Sequence, residues 1–225
     1  MVRNQYDMKS MIFDMDGVIF DSERAVYSCW KQVAAEHGIR DIERAYMRTV
    51  GVNAVTSRSI FLEEFGEDFP YDAYKKEQSA EYHRRCDGGR LPLKPGIREL
   101  LVYLRSEGYV TAIASSTRSA LIEAQVRDGG LSGFFDVIVG GDMTERSKPA
   151  PDIFLEAAKR LGAAPSSTYV VEDSYNGIRA AYAGGFIPIM VPDLLPPDDE
   201  MREKARRIFS DLFEVAEFLK GEYHE

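Results

Sequence analysis

Met11-Ile12-Phe13-Asp14-Met15-Asp16-Gly17-Val18 is a short apolar run that stops abruptly at a carboxylate and then turns. The apolar triplet has the length and the bounds of a buried strand, and Gly17 breaks the regular pattern behind it. Asp21 or Ser22 then caps a helix that carries Glu23 in its first turn. Along that helix Ala25, Val26, Cys29, Trp30, Val33 and Ala34 recur at helical spacing, and Gly38 is placed to end it.

Reading onward, residues 40–92 continue as charged, aromatic-rich helical segments with no convincing strand, closed by Pro92 and Pro95. Ile97, Leu100, Leu101 and Leu104 form a helical stripe that stops at Gly108. From there the pattern alternates: strands over Tyr109 to Ala114, Val137 to Val139, Thr168 to Val171 and Ile187 to Val191, with helices over Arg118 to Asp128, Asp152 to Leu161 and Tyr175 to Ala183. A last helix is expected near Asp211, and Pro192 to Glu200 reads as a surface loop. Alternation of this kind predicts an α/β fold, a doubly wound parallel sheet covered on both faces. The helical block after the first strand interrupts that rhythm. It predicts a Rossmann-like core of residues 1–20 and 93–225 with a helical domain inserted at 21–92.

A hydrophobic fraction of 44% in 225 residues supplies a proper core. The formal net charge of -9 argues against a nucleic-acid surface, which needs a basic stripe. Cys29 and Cys86 are expected as reduced thiols, and no CxxC or HxxxH spacing supports zinc. Met1 to Lys9 is polar and unlike a signal peptide, and no run approaches the ~20 apolar residues of a membrane span. These features predict a cytoplasmic protein, expected as a monomer, with no membrane or nucleic-acid partner.

Ligands of an open parallel sheet bind beyond the carboxyl ends of its strands. In this chain those ends carry Asp14 and Asp16, then Ser115-Ser116-Thr117, then Lys148 between Ser147 and Pro149, then Glu172-Asp173. Asp14 and Asp16 flank one residue, so in an extended segment they point the same way. Close carboxylates ionise together at low cost only beside a cation. Oxygen donors without His or Cys select magnesium over zinc. Alone, this segment is equally an acidic turn; a second acidic pair at another strand end favours a metal site. Ser115 and Ser116 suit phosphate oxygens or a helix N-cap. Lys148, held extended by Pro149, suits either a fixed role or a solvated surface.

Asp14-Met15-Asp16-Gly17-Val18, Ser115, Lys148-Pro149 and Glu172-Asp173-Ser174-Tyr175-Asn176-Gly177 stand in the order of the four motifs of the haloacid dehalogenase-like superfamily. The chain resembles its capped sugar-phosphate phosphatases and beta-phosphoglucomutases over essentially its whole length. The resemblance implies Asp14 as a nucleophile forming an aspartyl-phosphate and Asp16 as the acid and base. Ser115 and Lys148, with Ser116 beside them, would hold the phosphoryl group. Asp14, the backbone carbonyl of Asp16, Asp173 and Glu172 would surround Mg2+. Dehalogenases of the superfamily lack the second aspartate, so Asp16 argues against that activity.

The partner so implied is a small-molecule phosphate ester, a sugar or polyol phosphate. Asn53, Arg58 and Lys76 are polar candidates for contact with it, although each also reads as exposed polarity on a helix. A phosphosugar mutase is the alternative enzyme. Mutases of the family place a His on the first helix of the cap and an Arg in a cap loop, and counting puts Val26 and Ala54 at those positions. A non-catalytic binding module would require a lost motif residue, and none is lost.

Overall fold

A computed structural model describes residues 9–221; the polar N-terminal expectation for Met1 to Lys9 falls almost wholly outside them. Six parallel strands form one sheet: β1 (Ser10–Phe13), β2 (Val110–Ser115), β3 (Val137–Gly140), β4 (Thr168–Glu172), β5 (Ile187–Met190) and β6 (Arg207–Ile208). Their order is β3-β2-β1-β4-β5-β6. The chain therefore starts in the middle and winds outward on both sides, which is the Rossmann-like arrangement expected. β1 pairs with β2 on one flank and β4 on the other, Phe13 lying opposite both Ile113 and Val171.

The side-chain period of two sorts the core into layers. Met11, Phe13, Ile113, Val171 and Ile189 face one way, against α5 (Ile97–Ser106), α6 (Ser119–Asp128) and α10 (Leu212–Gly221). Ile12, Ala112, Ala114, Val139 and Val170 face the other, against α7 (Asp152–Leu161) and α8 (Tyr175–Ala183). Small Ala residues on the second face let Phe154 of α7 sit fully buried against the sheet.

Between β1 and α5 run α1 (Ser22–His37), α2 (Ile42–Met47), α3 (Ala54–Phe65) and α4 (Tyr71–Cys86). They share an apolar cluster around Trp30, Val33, Tyr46, Phe61 and Tyr71, in which the Trp30 and Phe61 ring centroids lie 4.6 Å apart. The two chain crossings at this block lie side by side. Phe20 bridges Leu93 antiparallel, Asp21 N–H donates to Pro92 O at 2.9 Å, and Lys94 N–H donates to Ile19 O at 2.9 Å.

Two elements depart from the sequence reading. The loop expected to run through Glu200 ends earlier, at α9 (Asp199–Lys204), where the Asp198 side chain accepts from Met201 N–H. β6 adds a sixth strand that had no apolar signature, because it is two residues long at the sheet edge and Arg207 is exposed. Cys29 and Cys86 are both free and buried. No helix among the described residues is long and apolar enough to cross a membrane.

Candidate active site

The strand ends deliver their polar residues to one rim. Asp14 follows β1 directly, and its Oδ1 accepts from Lys148 Nζ at 2.6 Å. The same ammonium donates to Glu172 Oε1 at 2.7 Å and to the Ala114 carbonyl at 3.2 Å, and it stands 4.7 Å from the centre of the Phe154 ring. The Lys148–Pro149 peptide bond is cis. Glu172 is saturated on its other oxygen as well: Oε2 accepts from Asp173 N–H, Ser174 N–H and Ser174 Oγ–H at 3.0, 2.9 and 3.0 Å. Glu172 thus fixes Lys148, while Asp14 keeps Oδ2 without a hydrogen bond among the described residues.

Two glycines make this packing possible. A Cβ on Gly177 would lie 1.8 Å from the Glu172 carboxyl carbon. Gly17 has φ +80°, and a Cβ there would lie 2.3 Å from Asp173 Oδ2. Glycine at both positions lets backbone approach a carboxylate, and at Gly17 it also supplies the left-handed turn.

Asp16 is held apart from that cluster. Its Oδ1 accepts from Ser22 Oγ–H at 2.7 Å, and its Oδ2 from Thr117 Oγ1–H at 3.0 Å and Ser115 Oγ–H at 3.4 Å. Ser115 Oγ in turn accepts from Thr117 N–H at 3.1 Å. Two neighbouring aspartates therefore have different surroundings, one paired with an ammonium and one with hydroxyls.

Asp14, Glu172 and Asp173 are buried, and one carboxylate oxygen from each lies within 4.8 Å of the others. Against them stands one ammonium, Lys148, so full ionisation leaves two uncompensated negative charges. Like charges about 4 Å apart repel by about 4 kcal/mol at the effective dielectric of such sites. Burial, with Glu172 and Asp16 adding to it and Lys148 opposing, accordingly pushes the Asp14 carboxyl up to about 8. Burial first, then Glu172 and Asp14, raise Asp173 well above the usual carboxylate range. For Lys148, burial opposes the charge, but Asp14 and Glu172 outweigh it and raise its pKa. An all-oxygen donor set that carries this excess charge fits a hard divalent cation.

These groups line a cavity of about 340 Å3. Its floor is the strand rim, with Asp14, Asp16, Ser115, Lys148 and Asp173. Its roof comes from the helical block, with Glu23, Thr49, Val52, Asn53 and Ala54. The roof is tied down by Asn176 of α8, whose Nδ2 donates to the Gly51 carbonyl at 2.9 Å.

The profile of the haloacid dehalogenase-like hydrolase family matches residues 11–191, a span that holds every one of these groups. The chain belongs to that family. A phosphorylated carbohydrates phosphatase from Thermotoga maritima is 33% identical over 178 residues, 79% of this chain and 82% of its own. A bifunctional riboflavin kinase/FMN phosphatase from Arabidopsis thaliana is 29% identical over 206 residues, 91% of this chain, and the chain spans 54% of that longer protein. Among solved structures, a variant of CbbY from Rhodobacter sphaeroides in complex with xylulose-(1,5)bisphosphate has a TM-score of 0.73 at 26% identity. That likeness covers 92% of this chain and 96% of the other.

In this haloacid dehalogenase-like hydrolase the residues singled out in the sequence fall into two groups. Asp14, Asp16, Ser115, Ser116, Lys148, Glu172 and Asp173 meet at one cavity, and Asn53 joins them in its roof, although Asn53 Oδ1 is engaged in capping α3 through Thr56 N–H at 3.0 Å. Arg58 lies outside that lining and pairs with Asp72 at 3.3 Å. Lys76 is exposed and also outside it. Three contributors had no separate signal. Ser22 read only as a helix start, Thr117 only as the end of a hydroxyl run, and Glu23 only as a first-turn acid. Glu23 accepts from Tyr46 Oη–H at 2.7 Å. Burial pushes its carboxyl up to about 7, with the Tyr46 bond opposing and Asp16 and Asp193 adding like charge.

Proposed function

We propose that this enzyme hydrolyses phosphate monoesters of small hydroxylated metabolites, of the sugar- or polyol-phosphate class, by passing the phosphoryl group through Asp14. The observation that carries the reading is the asymmetry of the two aspartates. Asp14 sits 2.6 Å from a buried ammonium with one oxygen free, and Asp16 is held by hydroxyls on the same rim. Asp14 Oδ2 would attack phosphorus, forming an acyl-phosphate bond as the ester P–O bond breaks. Asp16 would give the leaving oxygen its proton and then take one from the water that frees inorganic phosphate. Lys148 and the hydroxyls of Ser115 and Ser116 would grip the phosphoryl oxygens as charge spreads over them. Asp14, Asp173 and the Asp16 carbonyl, with Glu172 behind them, would hold Mg2+, which when bound neutralises phosphoryl charge.

We assign residues 21–92 to a cap and residues 1–20 with 93–225 to a catalytic core. A separate apolar cluster in α1–α4 supports the division, as do the paired crossings at Phe20 and Leu93. A cap that opens and closes would exclude water during transfer and release the product. The mutase alternative finds no support at its two positions: Val26 packs against the cap's apolar cluster, and Ala54 presents only a methyl group to the cavity. The relatives that act on phosphorylated carbohydrates and on FMN support a phosphatase of this class.

The test is a screen of phosphate release from sugar phosphates, polyol phosphates, FMN and nucleotides, with magnesium and after chelation. The reading expects magnesium-dependent release, fastest from sugar or polyol monophosphates. Full activity after exhaustive chelation, or none with any ester, would overturn it.

A further inference from the structure

A second cavity, of about 380 Å3, also reaches Asp16 and Thr117 but shares no other lining residue with the first. Phe20 and Leu91 come to it from the two crossings, Tyr82 and Cys86 from the end of α4, and Leu121 and Gln125 from α6. Its size is that of small-molecule sites, which run from roughly 300 Å3 upward.

The lining differs in kind from that of the catalytic cavity. Phe20, Cys86 and Leu91 are buried, and Leu121 is an exposed leucine. Gly88, Gly89 and Gly129 line the cavity too. A Cβ on Gly89 would lie 2.7 Å from the Asp128 carbonyl oxygen, and one on Gly129 would lie 3.0 Å from the Phe20 ring. The second crossing therefore lies directly against the end of α6. Backbone rather than side chains forms that wall, which suits a flat group. Asp16, Asp87 and Asp128 line the cavity and no Lys or Arg does, so an anion is disfavoured. One polar atom specifies more. Gln125 Oε1 is buried with no hydrogen-bond partner among the described residues, although the same side chain hydrogen-bonds Tyr82. Buried polar atoms are normally paired and an amide oxygen accepts, so its complement is a donor on a ligand.

We propose that this cavity is a second binding site, for an uncharged flat aromatic ring carrying an N–H donor, and that its occupant inhibits the enzyme without competing with the phosphate ester. The ring packs against Phe20, Tyr82 and Leu121, and its N–H donates to Gln125 Oε1. Such an occupant touches both crossings, the end of α4 and α6 at once, and so holds them at a fixed spacing. It also stands beside Thr117, whose hydroxyl donates to Asp16 at 3.0 Å. Turnover falls because these parts no longer shift against one another. Asp14 and Lys148, which do not line the second cavity, still receive the ester.

The experiment uses indole as the probe, with 1-methylindole as its counterpart lacking the N–H, on the full chain as wild type, Gln125→Met and Leu121→Trp. Equilibrium dialysis measures binding and needs no turnover. Indole is expected to bind the wild type about fivefold tighter than 1-methylindole, the worth of one neutral hydrogen bond. Gln125→Met removes the acceptor at nearly constant volume, so the two probes bind it equally. Leu121→Trp fills the slot and binds neither. Leu121 is 53% exposed, so that variant is expected to fold, and a melting curve checks this; Gln125→Met decides the site by itself if it does not. With ribose 5-phosphate and magnesium, indole is expected to lower kcat and leave KM unchanged in the wild type, and to do neither in Leu121→Trp. No binding of indole up to its solubility, equal binding by wild type and folded Leu121→Trp, or no preference over 1-methylindole in the wild type would overturn the site. Inhibition that raises KM alone, or binding without inhibition, would overturn its coupling to turnover. A wild type that binds indole with the expected pattern yet cleaves no ester would instead overturn the phosphatase reading, with the site upheld.

Discussion

Replacing Asp14 by asparagine moves activity and stability in opposite directions. The amide cannot serve as the nucleophile, so turnover is expected to fall on the order of 10^4-fold or more. Stability follows from the pKa. The Asp14 carboxyl lies at about 8 in the fold, chiefly through burial, against an ordinary 3.8. A group raised in this way adds stability below its unfolded value, and that stability is lost as pH rises through the folded one. The metal-free protein should therefore lose stability from about pH 4 to pH 8, and added magnesium should restore it most at the alkaline end. Asp14→Asn should melt roughly 2–8 °C higher than wild type near pH 8 without metal, and it should show little response to magnesium. A calorimetric pH series on both proteins checks this; a metal-free wild type that grows steadily more stable from pH 4 to 8 would refute it. The sequence makes Asp14 and Asp16 conspicuous because a second acidic pair, Glu172-Asp173, stands at another strand end. It leaves Glu23 inconspicuous, because acids are ordinary in the first turn of any helix and only the roof's placement brings this one to the cavity.

The elements around the site are constrained by close approaches that hydrophobic patterning does not reveal. Gly177 lies in the first turn of α8, where alanine would ordinarily favour the helix. Here its Cβ would fall 1.8 Å from the Glu172 carboxyl carbon. Gly177→Ala must therefore displace Glu172 and with it Lys148. We expect a loss of about 3 kcal/mol or more, as for overpacked or broken buried networks, and a fall in kcat. Chemical denaturation with parallel kinetics decides it, and a stabilised, fully active variant would show that the carboxylate is free to move. Asp193, past β5, makes a second such prediction. Its side chain is fully buried and binds Lys94 at 2.7 Å and Arg24 at 3.0 Å, tying the second crossing and α1 to the core. Asp193→Ala leaves Lys94 largely buried with the more distant Asp21, at 3.7 Å, as its remaining carboxylate, and should cost roughly 1–3 kcal/mol. A change under about 0.5 kcal/mol, the usual bound for surface sites, would mean that Asp21 takes over the charge of Lys94. The strands were legible because each is an apolar run bounded by turn residues. The edge strand β6 was not, since two residues carry no period, and α9 was hidden by prolines that bias the reader towards a loop.

At the scale of the whole molecule, the helical block joins the sheet through the side-by-side crossings, and Asn176 to Gly51 and Arg24 to Asp193 tie it down on the cavity side. Trp30, the one tryptophan of the chain, packs inside that block against Phe61 and Tyr71. Its emission should therefore report unfolding of the block and stay nearly constant while the block moves as a body. Large emission changes on phosphate binding without loss of secondary structure would contradict a rigid cap. The run of four helices between β1 and α5 was legible from the change of period after Asp21. The roof's polar contacts were not, because α1, α2 and the loop before α3 reach the cavity only once their apolar faces have packed together. The central claim is that the phosphoryl group rests on Asp14, and the most direct measurement is to find it there. The wild type and Asp16→Ala, in which release of phosphate should be slowed, are turned over with a radiolabelled sugar phosphate and magnesium, quenched in acid and peptide-mapped. The account predicts hydroxylamine-labile label on the peptide containing Asp14 in the wild type, slower both to appear and to disappear in Asp16→Ala, which lacks the acid of the first step and the base of the second, and none in Asp14→Ala. Substrate consumed by Asp16→Ala with no label on that peptide, or turnover retained by Asp14→Ala, would contradict it.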